Sequence, residues 1–235
     1  MQEPEIIYED DALIVCYKPA GIATQTRKIG QKDMESILRN HVALAGRKTG
    51  RSVPAFIGLV HRLDQPVEGV MVFAKTKKAA AGLSEQVMRR EIGKKYYALV
   101  HLPDVKRSFG EVTGLPEEGT LRHFILSDSQ TNLSRIVPEK TKGAKEAKLD
   151  YALIAEREGS ALLDITLHTG RHHQIRAQLS HIGTPIWGDA KYGKSESGQL
   201  ALCSYYISFL HPGNGERMVY EIRPHNLQMI PFLNI

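Results

Sequence analysis

The 235-residue chain predicts an α+β fold, a single domain over residues 1–235 built around a largely antiparallel mixed sheet flanked by helices. Runs with the two-residue strand period outnumber runs with the helical period. Most connections between strand-like runs are too short for the crossover that a parallel pair needs, so neighbouring strands are expected to pair antiparallel. The length would suit one large domain or two small ones, and with no internal repeat and no linker composition one domain is expected.

In chain order, residues 6–8 and 13–17 are apolar runs on either side of Glu9-Asp10-Asp11, the pattern of an entry hairpin, and Lys18-Pro19-Ala20-Gly21 closes it. Residues 24–32 are polar and basic. Asp33 can cap a helix in which Met34, Ile37, Leu38, His41 and Val42 recur at helical spacing, with Gly46 as its stop. Residues 46–54 are Gly-rich and basic, a surface loop that either lies near a phosphate backbone or is simply solvated. After a charged turn, residues 70–74 read as a buried strand bounded by Lys75. Thr76 can cap a helix over residues 77–90 with Ala80, Leu83 and Val87 on one face, and Arg89 and Arg90 suit its C-terminal end. Residues 94–100, 109–114 and 120–127 read as strands, the last two separated by Pro116-Glu117-Glu118-Gly119, and the lysine-rich residues 139–148 as an exposed turn. Residues 149–156 and 161–167 form a hairpin about Glu158-Gly159-Ser160. Ile175, Leu179 and Ile182 mark a helix, residues 200–210 and 218–222 the last strands, and residues 226–230 a closing turn of helix.

Two stretches concentrate chemistry. His61-Arg62-Leu63-Asp64-Gln65-Pro66-Val67-Glu68-Gly69 puts a carboxylate on a turn that feeds straight into an apolar strand. A strand fixes such a loop while leaving its side chains open to a substrate, so Asp64 is the first candidate for catalysis. On local pattern alone Arg62 and Asp64 also describe a surface ion pair on a hairpin. The second stretch, residues 168–183, gathers six basic or imidazole side chains over a turn and the start of a helix, a density of donors suited to an anion.

Together these stretches resemble the RluA-type family of RNA pseudouridine synthases, whose aspartate motif reads His-Arg-Leu-Asp followed by a glycine and an apolar strand. The family's second block is present as Gly170 to Arg176 and as Gly183 to Gly193. Asp10 to Gly21 resembles the first strand and turn, and Lys94, Tyr96, Ala98, Leu99 and Val100 match a further block, so the resemblance covers nearly the whole chain. One departure stands out: Val67-Glu68 occupies the place of the Thr-Ser found in many members, which would put a negative charge beside an RNA-binding site.

The resemblance implies isomerisation of specific uridines to pseudouridine in ribosomal or transfer RNA. It makes Asp64 the catalytic carboxylate, Arg176 the cation that holds it through a two-pronged guanidinium, and Tyr96 the aromatic packed on the target base. Arg62 would enter the space left by the flipped nucleotide. His61, Arg171, His173 and Gln174 would contact the RNA, and Leu202 would supply an apolar contact near the base. Without the resemblance, Tyr96 reads first as a half-buried strand aromatic with Tyr97 on the opposite face. Breaking the base-to-ribose C–N bond and rejoining the same base through carbon needs no redox step, so no cofactor and no metal are expected. A separate N-terminal RNA-binding module is not expected either, because the chain opens on the catalytic region's own first strand.

Composition agrees with a folded RNA-directed protein. Hydrophobic residues make up 42%, well above disordered chains, and a net charge of +5 suits a polyanionic partner. The basic residues of segments 47–51, 75–78 and 171–176 would spread that contact. Cys16 and Cys203 each sit in an apolar run and read as buried core thiols. There is no basic-then-apolar leader and no apolar run near the ~20 residues that cross a bilayer, so a cytoplasmic, non-membrane monomer is expected. His172, His173 and His181 lack an acidic or thiol neighbour at zinc spacing, and RNA-backbone contact or helix-start packing is their expected role. Two rival functions remain. A catalytically silent RNA-binding protein has no need of the intact Asp64, Tyr96 and Arg176 set, and a metal-dependent phosphodiesterase would be sensitive to chelators.

Overall fold

The computed structural model describes residues 4–26, 28, 30–48, 55–102, 115–193 and 198–233. Its elements in chain order are β1 (Glu5–Glu9), β2 (Leu13–Lys18), α1 (Met34–Lys48), β3 (Gly58–Leu59), β4 (Glu68–Ala74), α2 (Lys77–Arg89), β5 (Gly93–His101), β6 (Glu118–Asp128), β7 (Leu133–Val137), β8 (Lys145–Arg157), β9 (Ser160–Leu167), α3 (Gln174–His181), β10 (Leu202–Leu210), β11 (Arg217–Glu221) and a closing 3-10 turn at Ile230–Phe232. This is an α+β architecture. The chain forms two compact units, residues 1–93 with 204–223 and residues 94–203 with 224–235. Two of the crossings fall inside strands, β5 and β10, so no linker composition marks them.

In the first unit β2 pairs antiparallel with β1 on one side and β4 on the other, with Leu13 opposite Ala74 and Lys18 opposite Gly69. β4 bonds to β10, β11 pairs with β10, and β3 pairs with the end of β4. Every residue of β2 and β4 is buried, which is why both read as continuous apolar runs rather than alternating ones. Leu13, Val15, Val70, Val72 and Ala74 pack with Ala79 and Leu83 of α2 and with Ile92, Ile207 and Phe209. Gly69 (φ +140) permits the approach of β4 to β10, because a Cβ there would lie 2.4 Å from the Ser204 carbonyl oxygen.

Helix α1 opens on a reciprocal cap in which Asp33 Oδ1 accepts from Ser36 N–H at 2.8 Å and Ser36 Oγ accepts from Asp33 N–H at 3.1 Å. Gly46 does not end it, contrary to the sequence expectation. One helical glycine costs about 1 kcal/mol, and good helix formers flank it on both sides. Of the basic loop that was expected next, residues 49–54 lie outside the described residues, and Arg47 is exposed. Thr76 caps α2 by accepting from Ala79 N–H at 3.0 Å, and the helix closes on Arg90 in the left-handed conformation.

The second unit is a sheet in the order β5-β9-β8-β6-β7, antiparallel throughout. Glu158 and Gly159, both at positive φ, make the tight β8–β9 turn. β8 begins at Lys145, inside the stretch expected to be an exposed turn, because Glu146 and Lys148 alternate with buried Ala147 and Leu149. β6 likewise starts at Glu118, within the expected Pro116–Gly119 turn. The strand expected at residues 109–114 lies outside the described residues. Helix α3 packs on β6 and β7. The Gly183–Asp189 segment is more than a turn: Ile186 bridges to Val100, His101 N–H donates to Pro185 O at 2.9 Å, and Trp187 N–H donates to Leu99 O at 2.9 Å. Cys16 and Cys203 are free and buried, and no helix of the described residues is long and apolar enough to cross a membrane.

Candidate functional site

In the first unit the aspartate loop is clamped to the turn that follows β2. Thr24 Oγ1 donates to Leu63 O at 2.7 Å and accepts from Leu63 N–H at 3.2 Å. Gly21 N–H donates to Gln65 O at 2.8 Å, Gln65 Nε2 donates to Gly21 O at 2.9 Å, and Val67 N–H donates to Asp64 O at 3.1 Å. The backbone on both sides of Asp64 is therefore fixed while its side chain stays only partly covered. Lys18, fully buried, directs its ammonium at three carbonyls: Ile22 O at 2.7 Å, Pro19 O at 3.0 Å and Gln65 O at 3.1 Å. Burial pushes the Lys18 pKa down to about 7, and the charges of Asp64 and Glu68 oppose that fall.

Glu68, the departure from the Thr-Ser pattern, does not point into solvent. It is buried, accepts from Tyr17 Oη at 2.8 Å and shares the field of Lys18. Its charge is thus spent inside the first unit. His61 Nε2 accepts from Val72 N–H at 3.1 Å, which places the ring proton on Nδ1 and ties the start of the motif to β4. Arg62 is exposed and reaches Gln25 Oε1 at 3.3 Å, with no carboxylate partner among the described residues, so the surface-ion-pair reading of Arg62 and Asp64 fails.

In the second unit Arg171, His173, Gln174 and Arg176 gather at the start of α3. Gln174 Oε1 accepts from Thr169 Oγ1 at 2.7 Å and Arg171 N–H at 3.0 Å, and its Nε2 donates to Lys148 O at 3.1 Å, so this side chain builds the loop it sits on. His173 occupies a left-handed conformation at the helix start, is buried, and stacks on His172 at 3.7 Å between centroids. Tyr192 Oη accepts from Ser134 N–H at 2.6 Å and shares a hydrogen bond with His173 Nδ1 at 2.8 Å. Arg176, only 4% exposed, engages Asp189 with two bonds, Nε to Oδ2 at 2.8 Å and Nη2 to Oδ1 at 2.7 Å, and lies 5.1 Å from the Tyr192 ring centre. Burial raises the Asp189 pKa, but the bonds and charge of Arg176, with the Lys191 and Tyr192 amides, outweigh it and hold the carboxyl below its ordinary range.

Tyr96 is buried in β5 opposite Ile165, with Tyr97 on the other, more open face. Leu202 is buried at the start of β10. The basic stretches are less available than their composition implies: Lys75 is paired with Glu9 at 2.7 Å, and Arg176 is paired with Asp189 at 2.7 Å. Sequence reading gave Lys18 and Tyr192 no role of their own and read Gly183 to Asp189 as a structural turn supporting the site; Lys18, Asp189 and Tyr192 build the supports. Only the lysine at the end of a continuous apolar strand gave a signal, since a charge in that position must be either exposed or buried with partners.

A family model described as RNA pseudouridylate synthase matches residues 12–181. The chain is 29% identical over 238 residues to ribosomal large subunit pseudouridine synthase D of Zymomonas mobilis, spanning 96% of this chain and 71% of that protein. It is 32% identical over 241 residues to ribosomal large subunit pseudouridine synthase C of Buchnera aphidicola from Acyrthosiphon pisum, spanning 97% of this chain and 69% of that protein. Its fold resembles that of human RNA pseudouridylate synthase domain containing 4, with a TM-score of 0.73 at 24% identity over 94% of this chain and 89% of the other.

Proposed function

Since the chain belongs to the RNA pseudouridylate synthase family, we propose that it isomerises particular uridines of ribosomal or transfer RNA and that Asp64 is the carboxylate that acts on them. An RNA pseudouridine synthase is an isomerase. Within one nucleotide the bond from ribose C1′ to base N1 breaks and a bond from C1′ to base C5 forms, while C5 loses a proton and N1 gains one, with no net oxidation. The observation that carries the assignment is the scaffold around Asp64: a partly open carboxylate on a loop fixed at Leu63, Gln65 and Val67, with the buried Lys18 cation beneath it. Fixed backbone removes the need to order the group during reaction.

The other roles follow the family pattern. Tyr96 takes the face of the base, Arg176 supplies fixed positive charge, and Arg62, exposed and reaching Gln25, fills the stack vacated by the flipped nucleotide. Arg171 contacts phosphate, and Leu202 lines the base. His61, His173 and Gln174, bonded to Val72, Tyr192, Thr169 and Lys148, serve the substrate by holding their loops in shape. The reaction as written needs neither metal nor cofactor, and we assign it to a cytoplasmic monomer.

The test is pseudouridine mapping of total RNA from cells with and without the gene, beginning with large-subunit ribosomal RNA because two relatives carry that name. A site lost with the gene and restored by the wild-type chain, but not by Asp64→Asn, is the expected result. Purified protein should work with chelator present. No lost site would favour a silent RNA-binding protein, and turnover abolished by chelator would favour a metal enzyme.

A further inference from the structure

The second unit carries a cavity of about 320 Å³ floored by Ile125 and rimmed by the β6–β8 face and the loop before α3. Lys145, Arg171 and His172 line it together with Ser127, and among the described residues no acidic residue does. Neither Lys145 nor the terminal amines of Arg171 has a partner among the described residues. Two cations converging on one concavity without a counter-charge repel each other, and an anion placed between them relieves that cost.

The lining is also held in advance. Arg171 is fixed at both ends, its Nε donating to Glu146 O at 2.8 Å and its amide to Gln174 Oε1 at 3.0 Å, which leaves the outer edge of the guanidinium pointing away from its own backbone. Ser134 Oγ donates to His172 O at 2.7 Å and lies 3.1 Å from both His172 Nδ1 and Ser127 Oγ, so one hydroxyl locks two lining groups. Gly170, where a Cβ would meet nothing within 4 Å, leaves the mouth open. The volume falls at the lower end of the ~300–1,000 Å³ of small-molecule sites, a size that suits one nucleotide.

We infer that this cavity is a subsite for one phosphodiester of a single-stranded RNA segment, gripped by Lys145 and the outer edge of Arg171. The inference rests on the RNA-directed reading above and adds a place on the chain where the strand is held. A guanidinium engages two phosphate oxygens at once and the lysine adds a point charge, a pairing that recognises backbone and leaves the base unread.

The experiment measures binding of a single-stranded, uridine-containing oligoribonucleotide at several salt concentrations, with pseudouridine formation followed in the same wild-type preparation. Lys145→Met and Arg171→Met should each lower the slope of log affinity against log salt by about 0.7, the value for one lost phosphate contact on a single strand. Arg157→Met, an exposed cation on the β8–β9 turn, should leave the slope unchanged. A series in which one linkage at a time is an uncharged methylphosphonate should then show one position that weakens wild type and does not weaken Lys145→Met further. Should Arg171→Met fail to fold, the Lys145→Met and methylphosphonate arms still decide. An unchanged slope in Lys145→Met, or losses spread evenly over all linkages, would overturn the subsite while leaving the enzyme's activity in place. Free uridine monophosphate displacing the RNA at matched ionic strength would mark a mononucleotide site instead. Absence of pseudouridine with wild-type protein would instead count against the functional reading.

Discussion

Tyr17 Oη donates to Glu68 Oε2 at 2.8 Å, joining β2 to β4 with both side chains buried. The position where the resemblance predicts a small hydroxyl carries a carboxylate, and the chain accommodates it with a phenol and the neighbouring Lys18 ammonium. Glu68→Gln keeps the acceptor and removes the anion, whereas Glu68→Ser leaves the Tyr17 hydroxyl buried without its acceptor. Serine is therefore expected to cost about 1–3 kcal/mol of unfolding free energy beyond the glutamine variant, read by urea titration. Equal losses would mean that the hydrogen bond is not what keeps Glu68 inside.

Lys18 gives the first unit a pH dependence with a definite sign. Its folded pKa, about 7, lies below the ~10.4 of an unfolded lysine, so the unfolded chain binds the proton more tightly. Its contribution to stability is full above the unfolded value and is lost as pH falls through about 7. The melting-temperature gap between wild type and Lys18→Met should be wider at pH 9 than at pH 6.5. A gap that is the same at both pH values would show that Lys18 keeps its proton throughout.

Asp64→Asn tests the catalytic assignment directly. The side chains are nearly the same size, and the clamps on Leu63, Gln65 and Val67 are made by backbone atoms, so the loop keeps its shape. An amide cannot act as an anionic nucleophile or base, and turnover should drop by at least ~10²–10⁴-fold. RNA affinity should stay level or rise slightly, since one anion leaves a basic protein. Retained turnover in the asparagine variant would remove Asp64 from the mechanism.

Tyr96 separates two roles. Tyr96→Phe keeps the ring, while Tyr96→Ala also forfeits stacking worth ~1–3 kcal/mol per base, together with packing inside the sheet. If the ring is what matters, phenylalanine retains most of the activity and alanine loses it, with melting temperatures reported beside the rates. Equal loss at matched stability would place the function in the hydroxyl.

What was legible in the sequence was what periodicity and local chemistry encode. β2 and β4 announced themselves because burial on both faces demands unbroken apolar residues, and α2 because Thr76 and the Ala80, Leu83 and Val87 stripe are local signals. β7 and the first residues of β8 were missed because one more open face lets Glu146 and Lys148 alternate with Ala147 and Leu149, so strand composition looks like a polar turn. At the site, the motif residues were legible one by one, but their partners were not: Thr24 is 39 positions from Leu63, and Tyr17 is 51 from Glu68. The burial of Glu68 could not be read from a pattern in which its neighbours define a turn.

Arg176 and Asp189 form a buried, two-pronged ion pair, and the worth of such a pair shows when one member is removed. Asp189→Asn takes the paired carboxylate from a guanidinium that is only 4% exposed, which is expected to cost about 3–5 kcal/mol in unfolding free energy. Arg176→Lys keeps the charge but loses the fork, so a smaller loss is expected. The pH sign follows from Asp189, whose folded pKa is depressed: its contribution is full above the unfolded value near 3.9 and is lost as pH falls through the folded one. Wild type should therefore lose stability on acidification more steeply than Asp189→Asn, and the two melting curves should converge toward low pH. Parallel curves from neutral pH down to the acid limit of folding would show that Asp189 does not contribute through its charge, and would leave Arg176 held by packing against Tyr192 instead.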